Sequence, residues 1–287
     1  MDYGELESVE HPTQKYEGAF HLARGGNKEA PTLVLLHGHM AHAIAFRRVW
    51  PRLGKWFDVM IPDLPGHGRD ETFRGLQMQP SVETLSQWLF DLLDATVEGP
   101  VHIVGHSLGA SIAYEAAREQ PERFCSMTLT SPGFCVTVPP GAAMIFDLLP
   151  PSLARLAMNA TGMKIIEPFR WQGQPLDAAE ARAYIAPMKD VDRLEFALRL
   201  GASLVRASCD IDALEAPEVP TMLLFGQGDD FVAVDSAAEI GLQLAAKRVE
   251  VFTRAGHSPP EDTPAEFVDA LLEFTSTQAR CARPSLK

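Results

Sequence analysis

A Gly-x-Ser-x-Gly motif is the feature that most restricts how this chain of 287 residues can fold. An apolar run over 101–104 leads into Gly105-His106-Ser107-Leu108-Gly109, and a helix-forming segment over 110–117 follows at once. A strand, a tight turn and a helix in this order predict a nucleophile elbow, in which the serine hydroxyl projects from the edge of the sheet. Such a turn strains the serine backbone, and glycines on either side allow the close approach that it needs. A chance motif in a loop is the alternative, and the flanking strand and helix argue against it.

The rest of the chain alternates between continuous apolar runs and helix-forming segments. Apolar runs without polar alternation are typical of strands buried on both faces of a parallel sheet. We therefore expect an α/β fold with a mostly parallel sheet and helices on both of its faces. The predicted strands are 32–36, 58–61, 101–104, 126–130, 221–225 and 248–252, and the predicted helices include 43–55, one that begins after Ser81, 235–246 and 264–274. Residues 14–23 predict an edge strand or a short strand pair, and residues 1–12 are expected to be poorly ordered.

The alternation stops over residues 134–216. This region has no convincing strand, and prolines separate its helix-forming segments, which include 178–188 and 191–208. We therefore expect a core made of residues 1–133 and 217–287, with residues 134–216 inserted as a helical cap over one end of the sheet.

Two residues at later strand ends complete the chemistry that a serine nucleophile needs. A serine hydroxyl is a poor nucleophile at neutral pH, so it requires a base and a third group that orients the base. Asp229 follows the strand 221–225, and His257 follows the strand 248–252. Parallel strands bring their carboxyl ends to one edge, and the order Ser, Asp, His is the one that accompanies this elbow. We predict Ser107 as nucleophile, His257 as base and Asp229 as the orienting acid, with Asp230 as the alternative acid.

The backbone near the elbow predicts an oxyanion hole. One N–H should come from Leu108, directly after the nucleophile, and another from His39 in the loop after the strand 32–36, with Met40 as the alternative. The spacing of His37, His39 and His42 also raises the possibility of metal ligands. That run has no carboxylate and no second cluster of ligands, so we predict no metal and no cofactor.

Composition narrows the class of partner and the location. A net charge of −13 argues against nucleic acid and anionic membranes as partners. No apolar run approaches the ~20 residues of a membrane span, and the acidic N-terminus does not resemble a signal peptide. The four cysteines show no metal-binding spacing, and we predict free thiols in a reducing compartment rather than a disulfide. The expected protein is cytoplasmic with a small-molecule substrate, and a homodimer is left open.

Five motifs together resemble the α/β-hydrolase family, in particular its cap-bearing members. They are His37-Gly38, Asp63-Leu64-Pro65-Gly66-His67-Gly68, the elbow, Gly226-x-x-Asp229 and Gly256-His257. The resemblance implies an eight-stranded sheet, a Ser-Asp-His triad and a helical cap.

The resemblance leaves the substrate open. Esterases, lactonases, carbon–carbon bond hydrolases, haloperoxidase-like enzymes and lyases of quinone biosynthesis are all similar. The elbow serine argues against haloalkane dehalogenases and soluble epoxide hydrolases, which use aspartate there. Ser258 stands where the meta-cleavage-product hydrolases usually carry tryptophan, which disfavours carbon–carbon bond hydrolysis.

The predicted cap is rich in methionine and aromatic residues. Most of these side chains are expected to pack the cap's own core, but together they favour an apolar or aromatic acyl group. The candidate pocket residues are Met40, His106, Met144, Phe146, Trp171 and Met188. We predict hydrolysis of a carboxylic ester or lactone through an acyl-enzyme. The alternatives are a carbon–carbon bond hydrolase, a lyase or cyclase that uses the triad as a base, and a ligand receptor without catalysis.

Overall fold

An eight-stranded sheet organises the chain. The structure, a computed structural model, describes residues 6–13, 15–16, 18–75, 80–137, 176–206 and 210–278. Its strands are β1 (Glu7–Pro12), β2 (Ala19–Gly26), β3 (Thr32–Leu36), β4 (Asp58–Pro62), β5 (Val101–His106), β6 (Phe124–Thr130), β7 (Thr221–Gly226) and β8 (Arg248–Phe252). They lie in the order β1-β2-β4-β3-β5-β6-β7-β8. The pairs β1–β2 and β2–β4 are antiparallel, and the others are parallel. The predicted mostly parallel α/β sheet is confirmed.

Helices cover both faces of this sheet. The α-helices are α1 (Trp50–Leu53), α2 (Val82–Thr96), α3 (Leu108–Glu119), α4 (Ala178–Ile185), α5 (Val191–Arg206), α6 (Ala237–Gln243), α7 (Pro259–Asp262) and α8 (Pro264–Ser276). Alternate residues of β3 point to opposite faces, as the pleat of a strand requires. Val34 packs in the apolar core beneath α2 and α3, and Leu35 packs in the core beneath α1 and α8. The central strands are therefore buried on both sides, which explains their unbroken apolar sequence.

Helix α2 shows how the sequence sets a helix boundary. The Ser81 hydroxyl accepts a hydrogen bond from the Thr84 N–H at 3.3 Å, which satisfies one of the donors left unpaired at a helix start. Inward side chains, Trp88 among them, pack against the sheet at helical spacing. The predicted start of a helix after Ser81 is confirmed, with Ser81 as its N-cap.

The predicted helix over residues 43–55 is wrong. A 3₁₀ turn occupies Ala43–Phe46, and α1 covers only Trp50–Leu53. The cause is Pro51, which has no N–H and whose ring would clash with the carbonyl four residues earlier in a continuous helix.

The prediction of a poorly ordered segment over residues 1–12 is wrong from Glu7 onward. Residues Glu7–Pro12 form β1, which pairs with β2 from Glu7 opposite Arg24 to Pro12 opposite Ala19. The segment reads as polar because β1 is an edge strand with much of its surface exposed, and edge strands carry charged residues.

The prediction that all four cysteines are free thiols is also wrong, because Cys125 forms a disulfide bond. Spacing along the sequence does not reveal which thiols the fold brings together. Disulfides persist mainly in oxidising compartments, so this bond does not support the cytoplasmic location that the cysteine pattern predicted. Within the part of the chain described, no helix combines the length and apolarity needed to cross a bilayer.

Candidate active site

Ser107 occupies a strained turn between β5 and α3. Its φ of 53° and ψ of −114° lie in a region that non-glycine residues rarely adopt. A Cβ atom at Gly105 would lie 2.3 Å from the Gly109 carbonyl oxygen, and one at Gly109 would lie 2.2 Å from the Leu36 carbonyl oxygen. Only glycine fits at these two positions, which is the reason for the spacing of the motif.

Backbone hydrogen bonds hold the strained turn in place. The Ser107 N–H donates to the Thr130 carbonyl at 3.0 Å. The Ser107 carbonyl accepts from the N–H groups of Ala110 at 3.0 Å, Ser111 at 3.2 Å and Gly133 at 2.9 Å. The neighbouring strand β6 and the turn after it thus fix the position of the serine, as a strained residue needs if it is to persist.

The structure brings Ser107, His257 and Asp229 into one hydrogen-bonded chain. The His257 Nε2 lies 3.0 Å from the Ser107 Oγ. The His257 Nδ1 lies 3.0 Å from each carboxylate oxygen of Asp229. A carboxylate is only an acceptor, so Nδ1 carries the proton and Nε2 faces the serine with its lone pair. This tautomer is the one a general base requires.

The Asp229 side chain is buried and receives further donors. Its Oδ1 accepts from the N–H groups of Phe231 at 2.9 Å and Val232 at 3.0 Å. Burial opposes ionisation of the carboxyl group, but the hydrogen bond and charge of His257 and these two N–H groups hold its pKa below the ordinary value. Asp230, the alternative acid, is exposed.

Two backbone segments meet near the Ser107 hydroxyl. Leu108 is the first residue of α3, where N–H groups have no partner within the helix and the helix dipole favours negative charge. The opposite segment is a tight turn in which the Ala41 N–H donates to the Gly38 carbonyl at 3.2 Å. His39 and Met40 are its central residues, and Met40 has a φ of 58°. A Cβ at Gly38 would lie 3.2 Å from the Ser107 Cβ, so this turn passes close to the serine.

Two of the three histidines of this loop, His37 and His42, are buried and hydrogen-bonded to backbone, whereas His39 is half-buried. His37 Nδ1 lies 2.9 Å from the Gly38 carbonyl oxygen, and its Nε2 accepts from the Leu64 N–H at 2.9 Å. Burial lowers the pKa of His37 and of His39 to about 3, so both are neutral at pH 7. His42 Nε2 lies 3.1 Å from the Ala183 carbonyl oxygen. Among the described residues, no group of three or more His, Cys, Asp or Glu side chains is arranged to hold a metal ion.

The predicted pocket residues have different environments. His106 is 7% exposed, and its ring lies against that of His257 with 5.1 Å between centroids. Met40 is half-buried beside Gly38, whereas Met188 is buried in the short turn between α4 and α5. Met144, Phe146 and Trp171 lie outside the described residues.

Phe231, a neighbour of His257, is a residue that sequence reasoning missed. Its half-buried ring stands edge-on to the His257 ring, with 5.1 Å between centroids. No local signal distinguishes this residue, because its contact depends on how the loop after β7 turns back toward β8.

Helix α4 contacts both the loop after β3 and the segment after His257. The Tyr184 hydroxyl donates to the Glu261 carboxylate at 2.7 Å, and Arg47 forms ion pairs with Glu180 and Glu261. Burial would lower the pKa of Arg47, but the charge of Glu261 and the Glu180 contact raise it, so the guanidinium stays charged. This cluster ties α4 to the two loops that carry Gly38 and His257.

Helix α5 contacts the turn after β4. Arg193 is 4% exposed and donates to the carbonyls of His67 at 3.1 Å and Asp70 at 2.7 Å. A Cβ at Gly66, whose φ is 75°, would lie 2.3 Å from the Phe196 ring. The Gly66 position of the Asp-Leu-Pro-Gly-His-Gly motif therefore serves close packing against α5.

A second Ser–His–Asp chain lies toward the β1 edge of the sheet and joins β1, β2 and the turn after β4. His21 Nε2 is 2.8 Å from the Ser8 Oγ, and His21 Nδ1 is 2.8 Å from the Asp63 Oδ2. Sequence reasoning missed it, because β1 was expected to be poorly ordered. Ser8 and His21 are diagonal neighbours on one face of the β1–β2 pair, a relation that appears only once the register is known.

Comparison with known proteins places the chain in a family. The model of the "Alpha/beta hydrolase family" matches residues 33–270. The chain is 28% identical over 225 residues to the magnesium-chelatase 30 kDa subunit of Rhodobacter capsulatus, covering 75% of this chain and 76% of that protein. It is 27% identical over 264 residues to the pimeloyl-[acyl-carrier protein] methyl ester esterase of Chromobacterium violaceum, covering 88% of this chain and 96% of that protein.

A solved structure shows the same fold. The carboxylesterase CesB of Bacillus subtilis superposes with a TM-score of 0.75 at 18% identity, over 94% of this chain and 92% of that one. An eight-stranded sheet, the elbow at its centre and a family match over most of the chain lead to one conclusion: the chain belongs to the α/β-hydrolase family.

Proposed function

We propose that this protein is a serine hydrolase that cleaves a carboxylic ester or lactone of a small apolar or aromatic substrate. The observation that carries the proposal is the continuous hydrogen-bonded chain from Asp229 through His257 to Ser107. Ser107 is held at a strained turn at the start of a helix. There its hydroxyl can attack a substrate to form a covalent intermediate, and helix N–H groups can stabilise the negative charge of that intermediate.

The first half-reaction forms an acyl-enzyme. Neutral His257 removes the Ser107 proton as the Oγ attacks the substrate carbonyl, and Asp229 stabilises the imidazolium that forms. The oxyanion of the tetrahedral intermediate accepts hydrogen bonds from the N–H groups of Leu108 and His39, with Met40 as the alternative to His39. The protonated His257 then gives its proton to the leaving alkoxide, and the carbon–oxygen bond breaks.

The second half-reaction repeats this chemistry with water. His257 removes a proton from water, which attacks the acyl carbon, and the tetrahedral oxyanion is held by the same N–H groups. Collapse of that intermediate releases the acid, and Ser107 regains its proton from His257. The charge balance requires no group beyond the residues named.

The relatives support hydrolysis of an ester. One of them is named as an esterase of a methyl ester, although the magnesium-chelatase subunit shows that names within the family vary. An ester is cleaved by the acyl transfer that the Ser107 chain is arranged to perform.

We also propose that residues 134–216 form a cap over the site. Support comes from α4 and α5, which lie within this range and contact the loops around Gly38, Gly66 and His257 rather than the sheet edge alone. Tyr184 of α4, Met188 of the turn between the two helices and Phe196 of α5 are buried, and they are the described part of the apolar and aromatic composition that favours an apolar acyl group.

A substrate panel tests the proposed function. Purified protein would be assayed with p-nitrophenyl esters of increasing acyl length, with lactones and with diketones. We expect turnover of esters or lactones by the wild type and an acyl adduct on Ser107 in rapidly quenched samples. Turnover of diketones alone, or turnover without any Ser107 adduct, would contradict it and favour carbon–carbon bond hydrolysis or base-only chemistry respectively.

A further inference from the structure

His106 makes a direct contact with the backbone of the base. It is the last residue of β5 and directly precedes Ser107. Its Nε2 lies 2.7 Å from the carbonyl oxygen of His257. Because a carbonyl only accepts, Nε2 carries the proton and donates this hydrogen bond.

The other side of the His106 ring faces the turn that contains His39. A Cβ at Gly38 would lie 3.1 Å from the His106 Nδ1, which is tighter than an ordinary contact. The two imidazoles of His106 and His257 pack at 53° with their centroids 5.1 Å apart. His106 is thus held between the Gly38 turn and the segment that carries the base.

Chain connectivity explains why His257 needs such a support. His257 lies between β8, which ends at Phe252, and α7, which begins at Pro259, so no regular element carries it. β5 is a central strand, buried along its whole length and paired on both sides. A donor at its end is a rigid point to which an irregular segment can be fixed.

We propose that His106 is a positioning residue, whose Nε2–H holds the His257 backbone so that the imidazole of the base lies between Ser107 and Asp229. The inference rests on the proposed hydrolase function. Misplacement of a reacting group by about 1 Å can reduce a rate by about 100-fold, so a contact that fixes the base affects the chemical step without touching the substrate.

The charge state of His106 fits this role. Burial and the neighbouring His257 lower the pKa of His106 to about 4, while the hydrogen bond to the His257 carbonyl and the charges of Glu261 and Asp229 act in the opposite direction. His106 therefore stays neutral when His257 becomes an imidazolium during the reaction. A second positive charge beside the base would oppose that step.

A matched pair of variants separates the hydrogen bond from simple packing. Glutamine and methionine have similar length and flexibility, but only glutamine carries an N–H donor near the position of Nε2. His106→Gln and His106→Met would be compared by the rate of Ser107 modification with a fluorophosphonate, by kcat and KM on the best ester of the panel, and by thermal unfolding.

His102 supplies the control. It lies four residues before His106 on the same strand and is likewise buried, at 3% exposed against 7% for His106. Its Nδ1 lies 2.8 Å from the Ser126 Oγ. His102→Met should lower the unfolding temperature while Ser107 reacts at the wild-type rate.

We expect His106→Met to lower kcat and the rate of Ser107 modification by about 10- to 100-fold with little change in KM. His106→Gln should recover most of the lost rate. Wild-type reactivity of His106→Met, or equal impairment of the two variants, would overturn the inference while the hydrolase function stands. A wild-type chain that fails to react with the fluorophosphonate would overturn the hydrolase function, and this inference with it.

Discussion

The two Ser–His–Asp chains of this protein have the same bonding order but different surroundings. In the first, Ser107, His257 and Asp229 are linked at 3.0 Å on both sides of the imidazole. In the second, Ser8, His21 and Asp63 are linked at 2.8 Å on both sides. Hydrogen-bond length alone would rank the second chain first, so the proposal of Ser107 as the nucleophile rests on what surrounds each hydroxyl.

The two serines differ in backbone and in nearby donors. Ser107 has a φ of 53° and directly precedes the first residue of α3, so the unpaired N–H groups of a helix start follow it in the chain. Ser8 is an exposed residue within the extended edge strand β1. An extended strand uses its N–H groups for pairing or leaves them to water, and it offers no helix start to stabilise an oxyanion.

The two aspartates also serve different partners. Asp63 accepts from the N–H groups of Ala43 at 2.9 Å and Arg69 at 2.8 Å in addition to His21. It therefore joins β2, the loop after β3 and the turn after β4. We therefore expect the Asp63 chain to act as a structural crosslink, because Ser8 has neither a strained turn nor an adjacent helix start.

Removal of the elbow hydroxyl is expected to have the largest effect. Ser107→Ala should reduce kcat on the best ester by a factor on the order of 10⁴ to 10⁶, because no covalent intermediate can form. Circular dichroism and thermal unfolding should show an intact fold. Turnover near the wild-type level in this variant would make Ser107 a bystander and remove the distinction between the two chains.

Loss of the orienting carboxylate should come next. Asp229→Asn should lower kcat by about 10³- to 10⁴-fold, because an amide can stabilise the wrong tautomer of His257 and does not stabilise its imidazolium. The measurement is kcat at a saturating ester concentration, with unfolding by urea as the control for stability. An equally large loss of kcat in Asp63→Asn would contradict the comparison.

For Asp63→Asn the expected loss is in stability. Removing one partner from a buried, hydrogen-bonded pair should lower the free energy of unfolding by about 3 kcal/mol, measured by urea titration. The folded fraction should retain most of the wild-type kcat. A stable variant with no activity would indicate that the Asp63 chain takes part in the chemistry.

Acid should reduce the difference in stability between the wild type and Asp63→Asn. Burial opposes ionisation of Asp63, but the hydrogen bond from His21 and neighbouring imidazoles hold its pKa well below the ordinary value in the folded state. Its stabilisation is therefore complete above the unfolded pKa of about 3.9 and is lost as pH falls through the folded value. Urea titrations at about pH 6 and about pH 3 should show the gap between the two proteins narrowing at the lower pH. A gap that widens in acid would show that the pKa of Asp63 is raised instead.

The smallest effect is expected at Ser8. Ser8→Ala should leave kcat unchanged and alter the free energy of unfolding by about 1 kcal/mol or less, since Ser8 is an exposed residue and water can replace its hydroxyl as a partner of His21. A clear loss of ester turnover in this variant would give the second chain a catalytic role.

Much of the fold could be predicted because its signals are local. The largely apolar runs of β3 to β7 predict buried parallel strands, and Ser81 predicts the start of α2. The position of Ser107 between β5 and α3 was predictable from Gly105 and Gly109, because no other residue fits at these two positions. The family followed from the same motifs.

What the sequence did not reveal depends on contacts between distant segments. The Ser8–His21–Asp63 chain requires the register of two strand pairs, and the disulfide of Cys125 requires the approach of another thiol. Pro51 is a local signal for the break in the predicted helix 43–55. The prediction gave more weight to the apolar residues of this segment, which recur at helical spacing.

Peptide mapping of a fluorophosphonate adduct tests the central claim most directly. The wild-type chain would be inactivated with the probe, digested and analysed by mass spectrometry, with Ser107→Ala and Ser8→Ala treated in parallel. We predict one adduct, on the peptide that contains Ser107, in the wild type and in Ser8→Ala but not in Ser107→Ala. An adduct on Ser8, or inactivation that persists in Ser107→Ala, would contradict the claim that the elbow, rather than the bonding order of the triad, selects the nucleophile.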